Sequence, residues 1–194
     1  MDNGVSAGSN TSTLGQLALG LTLLAFGLGH TRVIDGLTEA DAVSLATYVG
    51  GLALFVAGLL ALRDRDTLTG TAYAGLGALW FTWGWTAGHP TGDPASANAS
   101  GLFTLLFALV ALSLALGTSQ TLARVTYGLL SAAMLLLAVA SFGDSSALAK
   151  VAGWFAAVGG LVAWYAATAA LAHWPTAVPR RARAADQGGV TATG

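Results

Sequence analysis

Six long apolar runs divide the chain, at approximately residues 14–29, 42–62, 68–88, 100–119, 125–142 and 151–174, and none contains a formally charged residue. Charged positions collect in the tails and in the short joints between runs. A helix of a soluble bundle instead keeps its charges along one face, opposite an apolar stripe at i, i+3 and i+4. A soluble bundle of helices apolar all round is the competing reading, and the segregation of charge argues against it. One charge at the centre of a bilayer costs about 2.5–3.5 kcal/mol even on lenient insertion scales. The runs fall close to the roughly 17–25 residues with which a helix crosses the hydrocarbon core, the first being the shortest.

Lipid leaves no free backbone group satisfied, so only helices and closed barrels cross it. A barrel would show segments of about ten residues with strict alternation. The run Leu135-Leu136-Leu137-Ala138-Val139-Ala140 has no such alternation. The pattern therefore predicts an all-α integral membrane protein, with six transmembrane helices in one bundle over residues 14–174. An N-terminal tail, 1–13, and a disordered basic tail, 175–194, flank it. All four prolines (Pro90, Pro94, Pro175, Pro179) fall in a joint or the tail, so no span carries a proline break.

The charges also orient the chain. Of its eight basic residues, six lie in the tails and in the second and fourth joints, and two lie in the remaining joints. The positive-inside bias then puts both termini in the cytoplasm of a plasma-membrane protein. Residues 1–13 hold Asp2 but no Lys or Arg, which does not suit a signal peptide, so the first run reads as a retained span. Arg63-Asp64-Arg65-Asp66 reads as the tip of a helical hairpin, and residues 89–98 as the longest external loop. The tail with Arg180, Arg181 and Arg183 would face anionic lipid. A net charge of −1 argues against a nucleic-acid partner, and the absence of cysteine removes disulfides and thiolate metal sites.

Candidate chemistry concentrates in two runs. In the third, Thr69, Tyr73, Leu76 and Trp80 share a helix face, beside a stripe of small residues, Gly70, Ala74, Gly77 and Gly84. Small residues let neighbouring backbones approach, which is how membrane helices pack. That would free the adjacent stripe to line a pathway, although Thr69 and Tyr73 could equally serve only as hydrogen bonds between helices. In the first run, Leu19, Thr22, Phe26 and His30 form a comparable line, and Gln16, Gly20, Leu23 and Gly27 an opposite packing face. His30, at the external end of its span, reads as an interfacial anchor. Trp83, Trp85 and Trp174 read as members of the aromatic belts.

Absences narrow the chemistry further. No run holds a carboxylate relay or voltage-sensing arginines, and the chain has no HExxH, GxSxG or GxxxxGK[ST] pattern. Enzymatic, metal and cofactor roles are therefore not expected. Hydroxyl-bearing apolar helices suit a small solute that is neutral, or nearly so, at the narrowest point. Such a solute could be a short carboxylic acid, ammonia or water. A non-transporting scaffold packing through its glycine faces is the alternative of another class.

Tyr48-Val49-Gly50-Gly51, Ala57-Gly58-Leu59-Leu60, Thr67, Leu76-Gly77 and Trp80, in that order, resemble the acetate uptake transporter (succinate–acetate permease) family. Gly117-Thr118, Ala123-Arg124-Val125 and Ala152-Gly153-Trp154 extend the resemblance over all but the tails. The family's Asn-Pro-Ala-Pro-Leu-Gly-Leu signature corresponds to Asn10-Thr11-Ser12-Thr13-Leu14-Gly15-Gln16, which keeps Asn10, Leu14 and Gly15 and loses both prolines. The resemblance implies transport of acetate or related short monocarboxylates, channel-like or proton-linked. It also implies six-helix protomers assembled as homohexamers, each with its own pathway. The family's constriction aromatics fall at Leu19 and Leu76, both aliphatic here, which leaves Phe26 or Tyr73 to supply the narrowing.

Overall fold

The computed structural model describes residues 7–37, 39–88 and 96–174, and among these every regular element is a helix. Six rods result. The first is α1 (Ala7–Thr31). The second is composite: α2 (Glu39–Leu45), a π-helical segment (Ala46–Ala53) and α3 (Leu54–Arg63). Then follow α4 (Thr67–Gly88), α5 (Ala97–Gly117), α6 (Thr121–Phe142) and α7 (Ser146–Leu171). Five rods are both long and apolar enough to cross a membrane, and α4 is not among them. Its 22 residues have the length, but Thr, Gly, Tyr and Trp dilute its hydropathy. The expectations for residues 89–95 and for the tail 175–194 lie outside the described residues.

Local chemistry sets the rod ends. Asp66 caps α4, its carboxylate accepting the Thr69 backbone N–H at 3.1 Å. Ser96 and Ser145 do the same for α5 and α7, accepting from Ala99 at 3.2 Å and Leu148 at 3.4 Å. Several rods stop on a residue with positive φ, as at Arg65 (63°), Asp144 (47°) and His173 (56°). There a following N–H folds back onto the last turn: Asp66 onto the Ala61 carbonyl, Ser145 onto Ala140 and Trp174 onto Ala169. Residues 7–13, polar and read with the N-terminal tail, form the first turns of α1, because nothing among Ser9, Asn10, Thr11, Ser12 and Thr13 breaks a helix.

Each rod packs on its neighbours in the chain, and α1 packs on α7, so the bundle closes into a ring. The α4–α5 seam is the thinnest. Glycines make the close approaches. On α1, a Cβ at Gly20 would stand 2.7 Å from the Trp164 nitrogen, and one at Gly27 would stand 2.5 Å from the Ala157 nitrogen. Their counterparts on α7 are Gly160 and Gly153, which face the Gly20 and Gly27 carbonyls at 2.8 Å by the same measure. The helices are thus antiparallel, and the start of α1 lies at the same end of the bundle as the end of α7. In the composite rod, adjacent glycines serve two neighbours: Gly50 abuts Thr22 of α1, and Gly51 abuts Phe81 of α4. Gly77 and Gly84 of α4 close on Phe55 and Thr47, as the small-residue stripe predicts.

Rods facing one another across the ring make no extended backbone contact. Large buried side chains fill the space they enclose, among them Leu19, Tyr73, Leu76, Trp80, Phe107, Leu130 and Met134. The lumen is therefore a packed core bounded by helices whose other faces carry Leu, Val, Phe and Trp outward. An apolar exterior around an apolar interior is the arrangement of a multi-pass membrane protein.

Candidate functional site

A cavity of about 110 Å³ opens where α1, α4 and α6 begin. Its walls are polar for so apolar a chain: Ser12 and Gln16 from α1, Asp66, Thr69 and Tyr73 from the start of α4, and Tyr127 from α6, with Thr118 to Gln120 closing the side. The Tyr73 hydroxyl crosses to α1 and donates to the Ser12 carbonyl at 2.9 Å. Gly15 makes this possible. The phenol ring lies directly over it, and a Cβ there would fall 2.7 Å from Tyr73 Cζ, with two further ring atoms closer still. The joint beside the cavity is held by Arg124, whose Nε and Nη2 donate to the Thr118 carbonyl at 3.2 and 2.7 Å.

Deeper in, polarity stops. Leu76 lies one turn beyond Tyr73, about 4.5 Å along the helix axis. It is fully buried, as are Leu19 of α1 and Leu130 and Met134 of α6. Trp80 stands about 10 Å beyond Tyr73 along α4. Its ring meets Phe26 of α1 at 5.0 Å and Phe107 of α5 at 5.3 Å, both edge to face. Trp83 completes the tier, 5.1 Å from Phe26 and 6.0 Å from Trp80. At the far end His30 lies 4.2 Å from the Phe26 ring. Its Nδ1 stands 2.9 Å from the Phe26 carbonyl; a carbonyl can only accept, so that nitrogen carries the proton. Among the described residues, α1, α4 and α5 carry no Asp, Glu, Lys or Arg, and α6 carries only Arg124 near its start. No group of His, Asp or Glu able to hold a metal occurs among the described residues.

The structure brings together most of the sequence-derived candidates. Thr69 and Tyr73 line the cavity, and Leu19, Phe26, Leu76 and Trp80 lie in the packed lumen beyond it. Thr22 is different: its hydroxyl donates to the Ala18 carbonyl of its own helix at 2.8 Å, and its side chain abuts Gly50. It belongs to the wall between α1 and the second rod. Of the signature residues, Gly15 seats Tyr73, Gly77 abuts Phe55, Leu14 and Thr67 point outward, and Asn10 lies in the opening turns of α1.

Four side chains are placed otherwise than expected or were not foreseen. Gln16, read as part of a packing face, lines the cavity. Trp83, assigned to the interfacial belt, turns inward onto Phe26, whereas Trp85 stays exposed and stacks on Phe81 at 5.8 Å. Tyr127 and Phe107 reach the site from runs in which no stripe had been singled out. The spacing of Tyr127, Leu130 and Met134, at i, i+3 and i+7, was the available signal.

Similarity to known proteins agrees with this geometry. No curated protein sequence matches the chain. Among solved structures, that of the bacterial acetate channel SatP matches with a TM-score of 0.76 at 23% identity, covering 84% of this chain and 92% of that one. At that identity the likeness is one of fold. The sequence pattern of the GPR1/FUN34/yaaH family matches residues 5–178. Matched over nearly its whole length, the chain belongs to the GPR1/FUN34/yaaH family, the acetate uptake transporters.

Proposed function

We propose that this protein passes acetate or a related short monocarboxylate across the plasma membrane through the lumen enclosed by α1, α4, α5 and α6. The observation that carries the proposal is a polar cavity ending on a fully apolar tier inside a closed ring of helices. In the cavity, the hydroxyls of Ser12, Thr69, Tyr73 and Tyr127 can replace water around a carboxyl group. Beyond it, the Leu19, Leu76 and Leu130 tier offers no compensation for charge. Desolvation grows with the square of charge, so a monocarboxylic acid passes most readily and a dianion least. The solute brings its own proton, so the helices need no titrating relay. Both termini then face the cytoplasm with the cavity, and protomers assemble as a homo-oligomer, a hexamer by resemblance to the family.

The scaffold alternative packs through the same glycines, and these close on neighbours within the chain, Gly20 and Gly27 on α7 and Gly77 and Gly84 on the second rod, so they fit both readings. Purified protein in liposomes is expected to speed entry of labelled acetate, and Leu76→Trp, which overfills the tier, is expected to slow it. Equal entry into protein-loaded and empty vesicles refutes the proposal. A panel including ammonia and water separates carboxylate passage from that of other small solutes.

A further inference from the structure

Every buried side-chain nitrogen and oxygen among the described residues has a hydrogen-bond partner, with one exception: the indole nitrogen of Trp80. Other buried donors are committed to main-chain carbonyls. Thr22 donates to Ala18, Tyr73 to Ser12, and Ser131 crosses from α6 to the Ala108 carbonyl at 3.0 Å. Trp80 is wholly buried, and its neighbours Phe26, Phe107 and Trp83 offer ring edges and faces in place of acceptors. Buried N–H groups without partners are rare in native proteins, because each forfeits its hydration with nothing in return. Packing alone would be met by phenylalanine or leucine at this position.

An indole N–H donates and cannot accept. Whatever satisfies it must therefore bring an acceptor. The surrounding rings further require that the rest of the molecule be small and apolar. A solute with a carboxyl oxygen at one end and a short alkyl group at the other meets both demands; an ammonium ion, which only donates, does not. We infer that the Trp80 indole N–H is a substrate-binding donor within the lumen, holding one oxygen of a short monocarboxylic acid or carboxylate between the leucine tier and the outer mouth. The inference rests on the transport reading above and adds to it a residue that sets specificity.

The test uses the full chain in lipid nanodiscs with its six tryptophans labelled with ¹⁵N at the indole nitrogen. The Trp80 signal is identified by its loss in Trp80→Phe. On titration with acetate its indole proton should move downfield along a saturating curve, while the other indole signals hold still. In liposomes Trp80→Phe should raise the acetate concentration for half-maximal entry by about tenfold, the loss of one hydrogen bond to a carboxylate. Should Trp80→Phe fail to fold, 3-benzothienylalanine at position 80 keeps the bicyclic shape, replaces N–H by sulfur and should give the same rise. A Trp80 signal indifferent to acetate, or an unchanged half-maximal concentration, overturns the inference and leaves the N–H pointing at a ring face. Should the wild-type protein carry no acetate, the transport reading falls, and the indole titration still decides whether the donor binds a carboxylate.

Discussion

Gly15 and Tyr73 come from different helices and should be energetically inseparable. Gly15→Ala puts a methyl group where the phenol ring lies, with Cζ 2.7 Å away and ordinary contact beginning near 3.4 Å. To clear it the ring must shift by roughly 1 Å. Tyr73 is 1% exposed, so its one direction of retreat is into the adjoining cavity, and that breaks its 2.9 Å bond to the Ser12 carbonyl. Overpacking of this kind costs about 1–3 kcal/mol, of which the broken hydrogen bond supplies about 1 kcal/mol. With Tyr73→Ala in place the obstacle is gone. Gly15→Ala should then be neutral, or stabilising by up to about 1 kcal/mol through helix propensity. The double-mutant cycle over the four proteins, followed by unfolding in mixed micelles with increasing SDS, should return a coupling of about 1–3 kcal/mol. Additivity to within about 0.5 kcal/mol would refute the contact and, with it, the account of why the signature glycine is there. The same displacement narrows the cavity, so Gly15→Ala should also slow acetate entry.

Three further outcomes are expected. Gly27→Ala forces a methyl against the α7 backbone, 2.5 Å from the Ala157 nitrogen and 2.6 Å from the Gly153 oxygen, and should cost about 2 kcal/mol in the same titration. Gly75→Ala, which meets nothing within 4 Å, should cost nothing; equal losses would mean the seam is wrongly drawn. Arg124→Gln removes the two donors on the Thr118 carbonyl and should cost about 1 kcal/mol, with faster amide exchange at residues 118–120; Arg124→Lys, lacking the planar fork, should restore only part. Acetate entry at fixed total concentration should rise by up to about tenfold per pH unit from neutrality downward, levelling near the carboxylic acid's pKa of about 4. A flat profile in pH-stepped liposomes would exclude passage of the neutral acid.

The rods were legible because a bilayer prescribes both their length and where charge is tolerated, so Phe142 and Gly88 end helices where the apolar runs end. Packing stripes were legible too: glycine has few other reasons to recur along one helix face, and Gly77 and Gly84 close on a neighbour as foreseen. Which neighbour takes which stripe was not, and Gly20 and Gly27 name α7 only in three dimensions. The lumen itself was the hardest to read. In a membrane helix the lipid-facing and inward-facing side chains are alike apolar, so hydropathy does not separate Phe107, buried, from Leu109, exposed. Hydroxyls mislead for a different reason. Thr22 and Tyr73 look equivalent in sequence, yet one satisfies itself on its own backbone and the other spans two helices.

The contact between α1 and α7 ties the chain's earliest rod to its latest, and that imposes an order of events on biosynthesis. While a nascent polypeptide is still emerging from the ribosome, the first five rods lack the helix that bridges α1 and α6, and Gly20 and Gly27 of α1 stand without their partner. Only when residues 146–171 have been translated can the ring close. A stop codon anywhere before them should yield a product that inserts but is handed to quality-control proteases, however intact its first 145 residues.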